Sequence, residues 1–205
     1  MLLEARGLSW RYSEGQWLFK DFSLTIRPGE IVGLIGPSGC GKTSLGRLLA
    51  GYAKPVEGEV LVQGRKSADG GYDPVQMIFQ HPERAVNPRW RIGRTLMEGW
   101  SPDVEILDSL GIRREWLTRY PNELSGGELQ RCCIARALGP QTRFLIADEM
   151  TTMLDAVTQA QIWHALLEVV HNRQLGMLVI SHDYPLVKKI CSRTVELEKQ
   201  IQPQG

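Results

Sequence analysis

The chain has 205 residues, with 24 Lys plus Arg against 23 Asp plus Glu and a formal net charge of +1. This length predicts one domain with a sizeable core, and the balanced charge lacks the basic excess by which proteins gather nucleic acid, so no nucleic-acid partner is expected. The four cysteines match neither a zinc-site spacing nor a secreted disulfide framework, which favours a reducing cytoplasm. No apolar run approaches the roughly 18 residues of a membrane span, so a function at a membrane would depend on a partner.

Short alternations of apolar and polar residues predict antiparallel strands and turns in the first sixty residues. Residues 24–26 and 59–62 alternate in this way, and Gly and Pro punctuate the sequence between them. Residues 31–35 form the mostly apolar run that is typical of a strand buried on both faces. A Gly-rich turn follows, and the pattern over 42–50 predicts a helix. Together these segments indicate a strand, loop and helix unit.

The middle of the chain differs in composition. Residues 83–138 are rich in helix formers, contain three turn signals with proline, and lack a long β-branched run. We therefore predict a single domain over 1–205 with a helical subdomain at 83–138. The core and antiparallel parts of that domain would comprise 1–82 and 139–205.

Two further apolar runs lie in the last third of the chain. Residues 144–147 and 177–180 each end in polar residues, and an amphipathic segment at 156–170 separates them. Together with residues 31–35 they predict a parallel sheet whose carboxyl strand ends carry the chemistry. The polar residues 200–205 are expected to fray.

A phosphate-binding loop pattern, GPSGCGKT, occupies residues 36–43 and lies where that pattern requires, after a buried strand and before a helix. Glycines let backbone N–H groups approach a phosphate, Lys42 would reach the β- and γ-phosphates, and the Thr43 hydroxyl would ligate Mg²⁺. A chance Gly-rich turn is the alternative, and the sequence context argues against it. The candidate nucleotide-binding residues here are Gly36, Pro37, Ser38, Gly39, Cys40, Gly41, Lys42, Thr43 and Ser44.

Two carboxylates, Asp148 and Glu149, end the apolar run 144–147. Asp148 would hold Mg²⁺ through its water shell, and Glu149 would polarise the attacking water as a general base. Such a pair alone is typical of a solvated strand end. A phosphate-binding loop in the same chain favours the functional interpretation.

A second candidate anion site lies at residues 124–128, with the sequence LSGGE. The small residues Ser125, Gly126 and Gly127 open a predicted helix, so their N–H groups would attract a phosphate. Ser125 as a helix N-cap, with Glu128 closing a capping box, is a sound structural alternative. It does not explain the two glycines.

The run 124–128 matches the signature sequence of ATP-binding cassette (ABC) ATPases, and the chain resembles that family from about residue 3 to residue 197. The resemblance implies an α/β P-loop NTPase cassette with a mixed core sheet, an N-terminal antiparallel β subdomain and an inserted helical signature subdomain. ATP and Mg²⁺ are the implied cofactors, and ATP hydrolysis coupled to transmembrane transport is the implied activity. In this family Ser125, Gly126, Gly127 and Glu128 would bind the γ-phosphate of ATP held by the opposite subunit.

Four further residues match family positions in the expected order. The resemblance makes Gln80 the glutamine that senses Mg²⁺ and couples to the membrane partner, and His182 the switch residue that contacts the γ-phosphate. It places Asp155 in the loop that crosses the dimer interface and makes Tyr12 the candidate for stacking on adenine. Gln80 and His182 could instead be satisfied polar groups at strand ends, and an aromatic ring such as Tyr12 often serves packing. The catalytic candidates are thus Glu149, His182, Gln80 and Asp148, and the metal candidates are Thr43, Gln80 and Asp148.

One position departs from the family pattern. Met150 stands where the family usually has proline after the catalytic glutamate. The loss of proline's fixed φ would loosen the placement of the Glu149 carboxylate.

Two short stretches narrow the resemblance to the ATPase subunits of oligopeptide, dipeptide and nickel importers: 77–80 followed by 87–89, and Asp155 followed by 158–161. The implied cargo is a small solute, either a peptide or a nickel or metal chelate. Transmembrane permease subunits and a second ABC ATPase subunit are the implied partners, with a heterodimer favoured over a homodimer and an extracytoplasmic substrate-binding protein acting indirectly. The implied location is peripheral, at the cytoplasmic face of the inner membrane. A non-transport ABC ATPase, or a regulatory ATP-binding module with weak hydrolysis, is the alternative.

Overall fold

The computed structural model describes residues 2–12, 15–66 and 72–198, so the expected fraying of 200–205 lies outside the described residues. Three short 3₁₀ turns, at Pro82–Arg84, Arg114–Thr118 and Pro121–Glu123, lie among the helices. The strands and helices in chain order are β1 (Leu3–Trp10), β2 (Phe19–Ile26), β3 (Ile31–Ile35), α1 (Lys42–Leu49), β4 (Glu57–Val62), β5 (Val75–Ile78), α2 (Ile92–Leu96), α3 (Val104–Ser109), α4 (Gly126–Ala137), β6 (Phe144–Asp148), α5 (Ala156–Asn172), β7 (Gly176–Ile180), α6 (Tyr184–Ile190) and β8 (Arg193–Glu196).

The strands form two separate sheets. Three strands make an antiparallel sheet in the order β2-β1-β4, and five make a second sheet in the order β5-β6-β7-β3-β8. The resemblance implies a mixed core sheet, whereas every pairing described in the five-stranded sheet is parallel. The reason is the connectivity: consecutive strands of this sheet are joined by helix-containing crossovers, and each crossover returns the chain in the same direction.

The central strands of the parallel sheet are buried on both faces, as their continuous apolar sequences predict. All residues of β6 and β7 are buried. Leu145 and Val179 belong to a core shared with α4 and α5, whereas Ile146 and Ile180 belong to a core shared with α1 and the antiparallel sheet. This alternation follows from the two-residue period of a strand. The sheet is therefore sandwiched between two hydrophobic cores.

The segment predicted to be helical, 83–138, contains α2, α3 and α4, two of the 3₁₀ turns and most of the third, and no strand. Trp116 packs in the same core as α4 and α5. Each of the four cysteines, Cys40, Cys132, Cys133 and Cys191, is free. Within the part of the chain that the structure describes, no helix is both long and apolar enough to cross a membrane.

Candidate functional site

The loop between β3 and α1 is shaped by glycines at two positions. Gly41 is the N-cap of α1 and has φ +106°, a conformation that side chains with a Cβ rarely adopt. At Gly36 a Cβ would collide with the backbone carbonyl of Leu197. The resulting tight loop leads into the N-terminus of α1, where free backbone N–H groups favour an anion.

Lys42 is fixed inside this loop. Its side chain is buried, and its ammonium donates hydrogen bonds to the carbonyls of Gly36 at 2.8 Å and Pro37 at 3.0 Å. These acceptors carry no net charge, so they orient the ammonium without neutralising it. The positive charge remains available to a phosphate at the loop.

A cavity of about 300 Å³ opens beside the loop. It brings together Tyr12 and six of the nine candidate residues of the loop with Glu149 and His182. Leu18 also lines it, and no motif in the sequence marks that position. The side chain of Cys40 is buried in the core beneath the loop, so any contact of Cys40 with a ligand would come from its backbone. The lining residues are Tyr12, Leu18, Ser38, Gly39, Gly41, Lys42, Thr43, Ser44, Glu149 and His182.

Tyr12 presents its ring at the mouth of this cavity. The residue is 72% exposed, and its hydroxyl lies 2.7 Å from the hydroxyl of Ser44. Trp10 contacts the ring edge-on, with centroids 6.0 Å apart, whereas Trp17 is covered by the guanidinium of Arg11. Of these three aromatic residues, Tyr12 is the one that offers a ring at the loop.

Asp148, at the end of β6, also contacts the phosphate loop. Its Oδ1 accepts a hydrogen bond from the Thr43 hydroxyl at 3.1 Å. Burial raises the pKa of Asp148, and the charge of Glu149 adds to this effect while the Thr43 hydrogen bond opposes it. A buried carboxylate beside a hydroxyl is an oxygen donor set of the type that Mg²⁺ prefers.

The Glu149 carboxylate is held by two of the predicted residues. His182 Nε2 lies 2.8 Å from Oε1, and Gln80 Nε2 donates to Oε2 at 3.2 Å. Because a carboxylate only accepts hydrogen bonds, the proton in the first contact belongs on His182 Nε2. Glu149 itself has φ +46°, the left-handed conformation that non-glycine residues rarely adopt.

The turn after Glu149 is held by contacts other than a proline. Met150 is 2% exposed and packs in the core. The Thr152 hydroxyl donates to the Glu149 carbonyl at 3.0 Å and accepts from Gln80 Nε2 at 3.2 Å. These contacts stabilise the turn and so oppose the loss of Glu149 placement that is expected because Met150 replaces a proline. Sequence reasoning missed Thr152, although a threonine four residues after the end of β6 is a turn-forming signal.

The run 124–128 forms the start of α4 and confirms the capping box. Ser125 Oγ accepts from the Glu128 N–H at 3.3 Å, and Glu128 accepts from the Ser125 N–H at 2.8 Å. Gly127 has a packing role as well, because a Cβ there would lie 2.8 Å from Thr158 Cγ2 of α5. The structural and functional interpretations of this run are thus compatible.

Asp155 is the N-cap of α5. Its carboxylate accepts from the N–H groups of Val157 and Thr158, each at 3.0 Å, and from the Thr158 hydroxyl at 2.6 Å. These hydrogen bonds, led by that of the Thr158 hydroxyl, lower the pKa of Asp155. The carboxylate therefore stays charged at neutral pH.

The start of α4 faces a different cavity from the phosphate loop. This second cavity, of about 750 Å³, is lined among others by Ser125, Gly126, Gly127, Glu128 and Asp155. Among the described residues, none lines both cavities. Within one chain, the two candidate phosphate sites are therefore not parts of one cavity.

Comparison with protein families matches residues 19–152 to the family described as "ABC transporter". The "Nickel import ATP-binding protein NikE" of Rhodospirillum rubrum is 36% identical over 97% of this chain and 81% of that protein. The "Nickel import system ATP-binding protein NikE" of Staphylococcus aureus strain bovine RF122 / ET3-1 is 32% identical, with coverages of 96% and 87%. The "Oligopeptide transport ATP-binding protein OppF" of Bacillus subtilis strain 168 is 38% identical, with coverages of 84% and 64%.

Among solved structures, the dimeric post-hydrolysis structure of the ATP-binding cassette MJ0796 bound to ADP and Pi superposes with a TM-score of 0.81. The two sequences are 25% identical, and the match covers 98% of each chain. The fold predicted from the sequence, a P-loop α/β cassette with antiparallel and helical parts, is confirmed.

Proposed function

This chain belongs to the ABC transporter family and is an ATP-binding cassette ATPase, and on that premise we propose that it powers the uptake of peptides or of nickel or its chelates. The proposed cargo follows its similarity to subunits named for nickel import and oligopeptide transport. The single observation that carries the proposed chemistry is the meeting of Glu149, His182 and Gln80 at the rim of the phosphate loop.

ATP would bind with its phosphates in the loop and its base on Tyr12. Lys42 supplies the charge for the β- and γ-phosphates, while the N–H groups at the start of α1 face the same anion. The exposed Tyr12 ring, tied to Ser44, offers a stacking surface for adenine.

Thr43, Asp148 and Gln80 would hold Mg²⁺. The Thr43 hydroxyl and the Asp148 carboxylate already contact each other. The Gln80 side chain contacts Glu149, which directly follows Asp148, so the three residues lie close together beside the loop. Bound Mg²⁺ would neutralise charge that develops on the phosphates during their cleavage.

Glu149 would act as the general base for the attacking water. Its carboxylate is positioned from two sides by His182 and Gln80, at the edge of the cavity that holds Lys42. A positioned base of this kind contributes about 10²–10⁴-fold to a reaction rate. The proton on His182 Nε2 would be available to a γ-phosphate oxygen when nucleotide is present.

The complete catalytic site would require a second subunit. The loop and the start of α4 line different cavities within one chain, and the similar cassette MJ0796 has a dimeric structure. Ser125 of a second cassette would then contact the γ-phosphate held by Lys42, with Asp155 near the interface. We propose a heterodimer with a non-identical ATPase subunit, and a homodimer is the alternative.

A groove of about 580 Å³ beside β5 would receive a short cytoplasmic helix of a permease subunit. Tyr52, 60% exposed, contacts Phe79 edge-on there, and Arg136 pairs with Glu98 at 3.1 Å. The residue after Phe79 is Gln80, so the groove adjoins the proposed catalytic site. Crosslinks from residues 82–89 to the permease test this assignment, and crosslinks from the opposite face alone would remove it.

This assembly would place the chain at the cytoplasmic face of the membrane. There it would act on cargo delivered by an extracytoplasmic substrate-binding protein, which it would contact only through the permease. The cargo can be tested by measuring uptake of labelled nickel and labelled oligopeptide in cells with and without the chain.

The decisive experiment on the chemistry compares Lys42→Ala with Glu149→Gln. Lys42→Ala should weaken ATP binding, whereas Glu149→Gln should preserve binding and lower phosphate release by about 10²–10⁴-fold, or roughly 3–5.5 kcal/mol of barrier. Lys54→Ala, a surface change outside the cavity, is the matched control. Equal loss of ATP affinity in both site variants would contradict the assigned roles. ATP binding without phosphate release by the wild-type complex would favour a regulatory module.

A further inference from the structure

The buried amide of Gln130 lies in α4, five residues after Ser125. It is 1% exposed, and its Nε2 donates a hydrogen bond to the backbone carbonyl of Phe79 at 3.2 Å. Its Oε1 has no hydrogen-bond partner among the described residues. A buried amide that uses its donor side alone is unusual, because an unpaired buried acceptor is costly.

Phe79 immediately precedes Gln80, the residue that contacts Glu149. One helical turn beyond Gln130, Cys133 makes a weak contact from Sγ to the carbonyl of Pro82 at 3.9 Å. The helix therefore contacts the chain just before and just after Gln80. A displacement of residues 79–82 would consequently displace α4 as well.

The other end of the connection is the start of α4. Ser125 and Glu128 fix the first turn through the capping box, and the packed residues Leu129 and Ile134 belong to the core. A capped, buried helix moves as a unit, because its backbone hydrogen bonds resist internal bending. A shift transmitted through Gln130 would therefore reorient the end at Ser125.

We propose that Gln130 is a positioning residue that couples ATP in this chain's own phosphate loop to the orientation of the start of α4. The inference rests on the proposed function, since it requires ATP at Lys42 and a role for Ser125 toward a second subunit. Occupancy of one nucleotide site would thereby adjust the surface that this chain offers to the other.

Such coupling requires a second position of residues 79–82 relative to α4. A hydrogen bond to the unpaired Oε1 of Gln130 would stabilise that position. In the proposed coupling, Gln80 would turn from Glu149 toward bound nucleotide, and the backbone of residues 79–82 would move with it. A backbone N–H of that segment can then pair with Oε1, which removes the cost of the buried unpaired acceptor. The ATP-bound arrangement would then gain a hydrogen bond that this structure lacks among its described residues, so ATP binding would shift the population toward it.

Hydrogen exchange measured on the full chain with and without Mg²⁺ and ATP tests the inference. In the wild type, ATP should slow exchange in peptides covering the phosphate loop, residues 79–82 and residues 125–131. The change at 125–131 should be about fivefold or more, the lower end of typical coupling between sites. Gln130→Met keeps the size of the side chain but cannot donate to Phe79. It should retain the change at the loop and lose it at 125–131.

Three variants complete the design. Lys42→Ala should abolish every ATP-dependent change. Cys132→Ala removes a buried side chain that makes no hydrogen bond in the described part of the chain, so it should lower the melting temperature yet keep the response at 125–131. Gln130→Met should show the opposite pattern, with a melting temperature close to that of the wild type. Gln130→Leu repeats the test with a second apolar side chain, so the result does not depend on one variant folding.

The outcomes separate the two hypotheses. An undiminished response at 125–131 in folded Gln130→Met or Gln130→Leu would overturn the coupling role while leaving the proposed function intact. A wild-type response at the loop without one at 125–131 would overturn it as well. No response at the loop itself would contradict ATP binding, and with it both proposals.

Discussion

At the scale of single residues, the proposed chemistry depends on how Glu149 is held. Its backbone lies in the left-handed region, which costs free energy for any residue but glycine, so other contacts must stabilise the turn. Met150 contributes burial, and Thr152 bonds both the Glu149 carbonyl and the Gln80 amide. A threonine hydroxyl and a core methionine thus stabilise the turn that carries the carboxylate, in the absence of a proline.

Thr152→Val should lower ATP hydrolysis while ATP affinity stays unchanged. The change keeps the side-chain shape but removes two hydrogen bonds, and a loss of about 1.4 kcal/mol in positioning corresponds to about a tenfold fall in rate. Thr118→Val is the matched control, because Thr118 is also exposed and donates to a carbonyl, that of Glu115, three residues earlier. Equal activity of the two variants would show that Thr152 does not position Glu149.

Tyr12 should contribute to ATP affinity through its ring rather than its hydroxyl. Tyr12→Ala should weaken binding by about fivefold, since an aromatic stack is worth about 0.5–1.5 kcal/mol. Tyr12→Phe loses the bond to Ser44 yet keeps the ring, and it should bind ATP nearly as well as the wild type. Titration with a fluorescent ATP analogue measures both. Unchanged affinity in Tyr12→Ala would assign adenine to another residue.

At the scale of elements, the three helices around the site begin in different ways. A glycine with positive φ opens α1 and leaves its N–H groups to a ligand, whereas Ser125 caps α4 with a capping box. Asp155 caps α5 with a carboxylate. The helix start that lacks a side-chain cap is the one that faces the first cavity, so the local chemistry of each start matches its proposed role.

The cap at Asp155 should make stability depend on pH. Its folded-state pKa lies below the ordinary value of 3.8, so the carboxylate stabilises the fold above pH 3.8 and loses that contribution as the pH falls through the lowered pKa. Asp155→Ala should melt at a lower temperature than the wild type at pH 7, and the difference should shrink below pH 3.8. Asp155→Asn should keep the cap without this pH dependence. If the difference in melting temperature between the wild type and Asp155→Ala stayed constant from pH 7 to below pH 3.8, the assignment would be contradicted.

At the scale of the whole molecule, the parallel sheet presents the loop and the carboxylates at one edge, and α4 presents Ser125 elsewhere. The ends of β3, β6 and β7 lead into the phosphate loop, Glu149 and His182, which meet around one cavity. The start of α4 lines the other cavity. The two candidate phosphate sites of a single chain thus lie in different cavities, which is the arrangement that the proposed two-subunit site requires.

A mixing experiment tests the two-subunit site. A Ser125→Arg chain should still bind ATP in its own loop, while it inactivates the site whose Lys42 belongs to the partner subunit. Phosphate release from dimers with one altered chain should therefore fall to about half or less of the wild-type rate, because one of the two sites is blocked. Gln161→Arg, in the same cavity but away from the helix start, is the control. Loss of ATP binding by the isolated Ser125→Arg chain would mean that the site closes within one subunit.

The sequence by itself determined the local features. The apolar runs predicted β3, β6 and β7, the pattern GPSGCGKT predicted the loop and the start of α1, and LSGGE predicted the start of α4, because each depends on spacing along a few neighbouring residues. The roles of the individual site residues stay predictions until they are measured.

Tertiary structure decided the contacts between residues far apart in the chain. It placed Gln80 against Glu149 and Thr152, Tyr12 against Ser44, and Gln130 against Phe79. It also made the five-stranded sheet parallel throughout its described pairings and separated the two cavities. No local pattern encodes these results, since they depend on how sheets and helices pack, and packing brings together side chains whose separation in sequence carries no periodic signal.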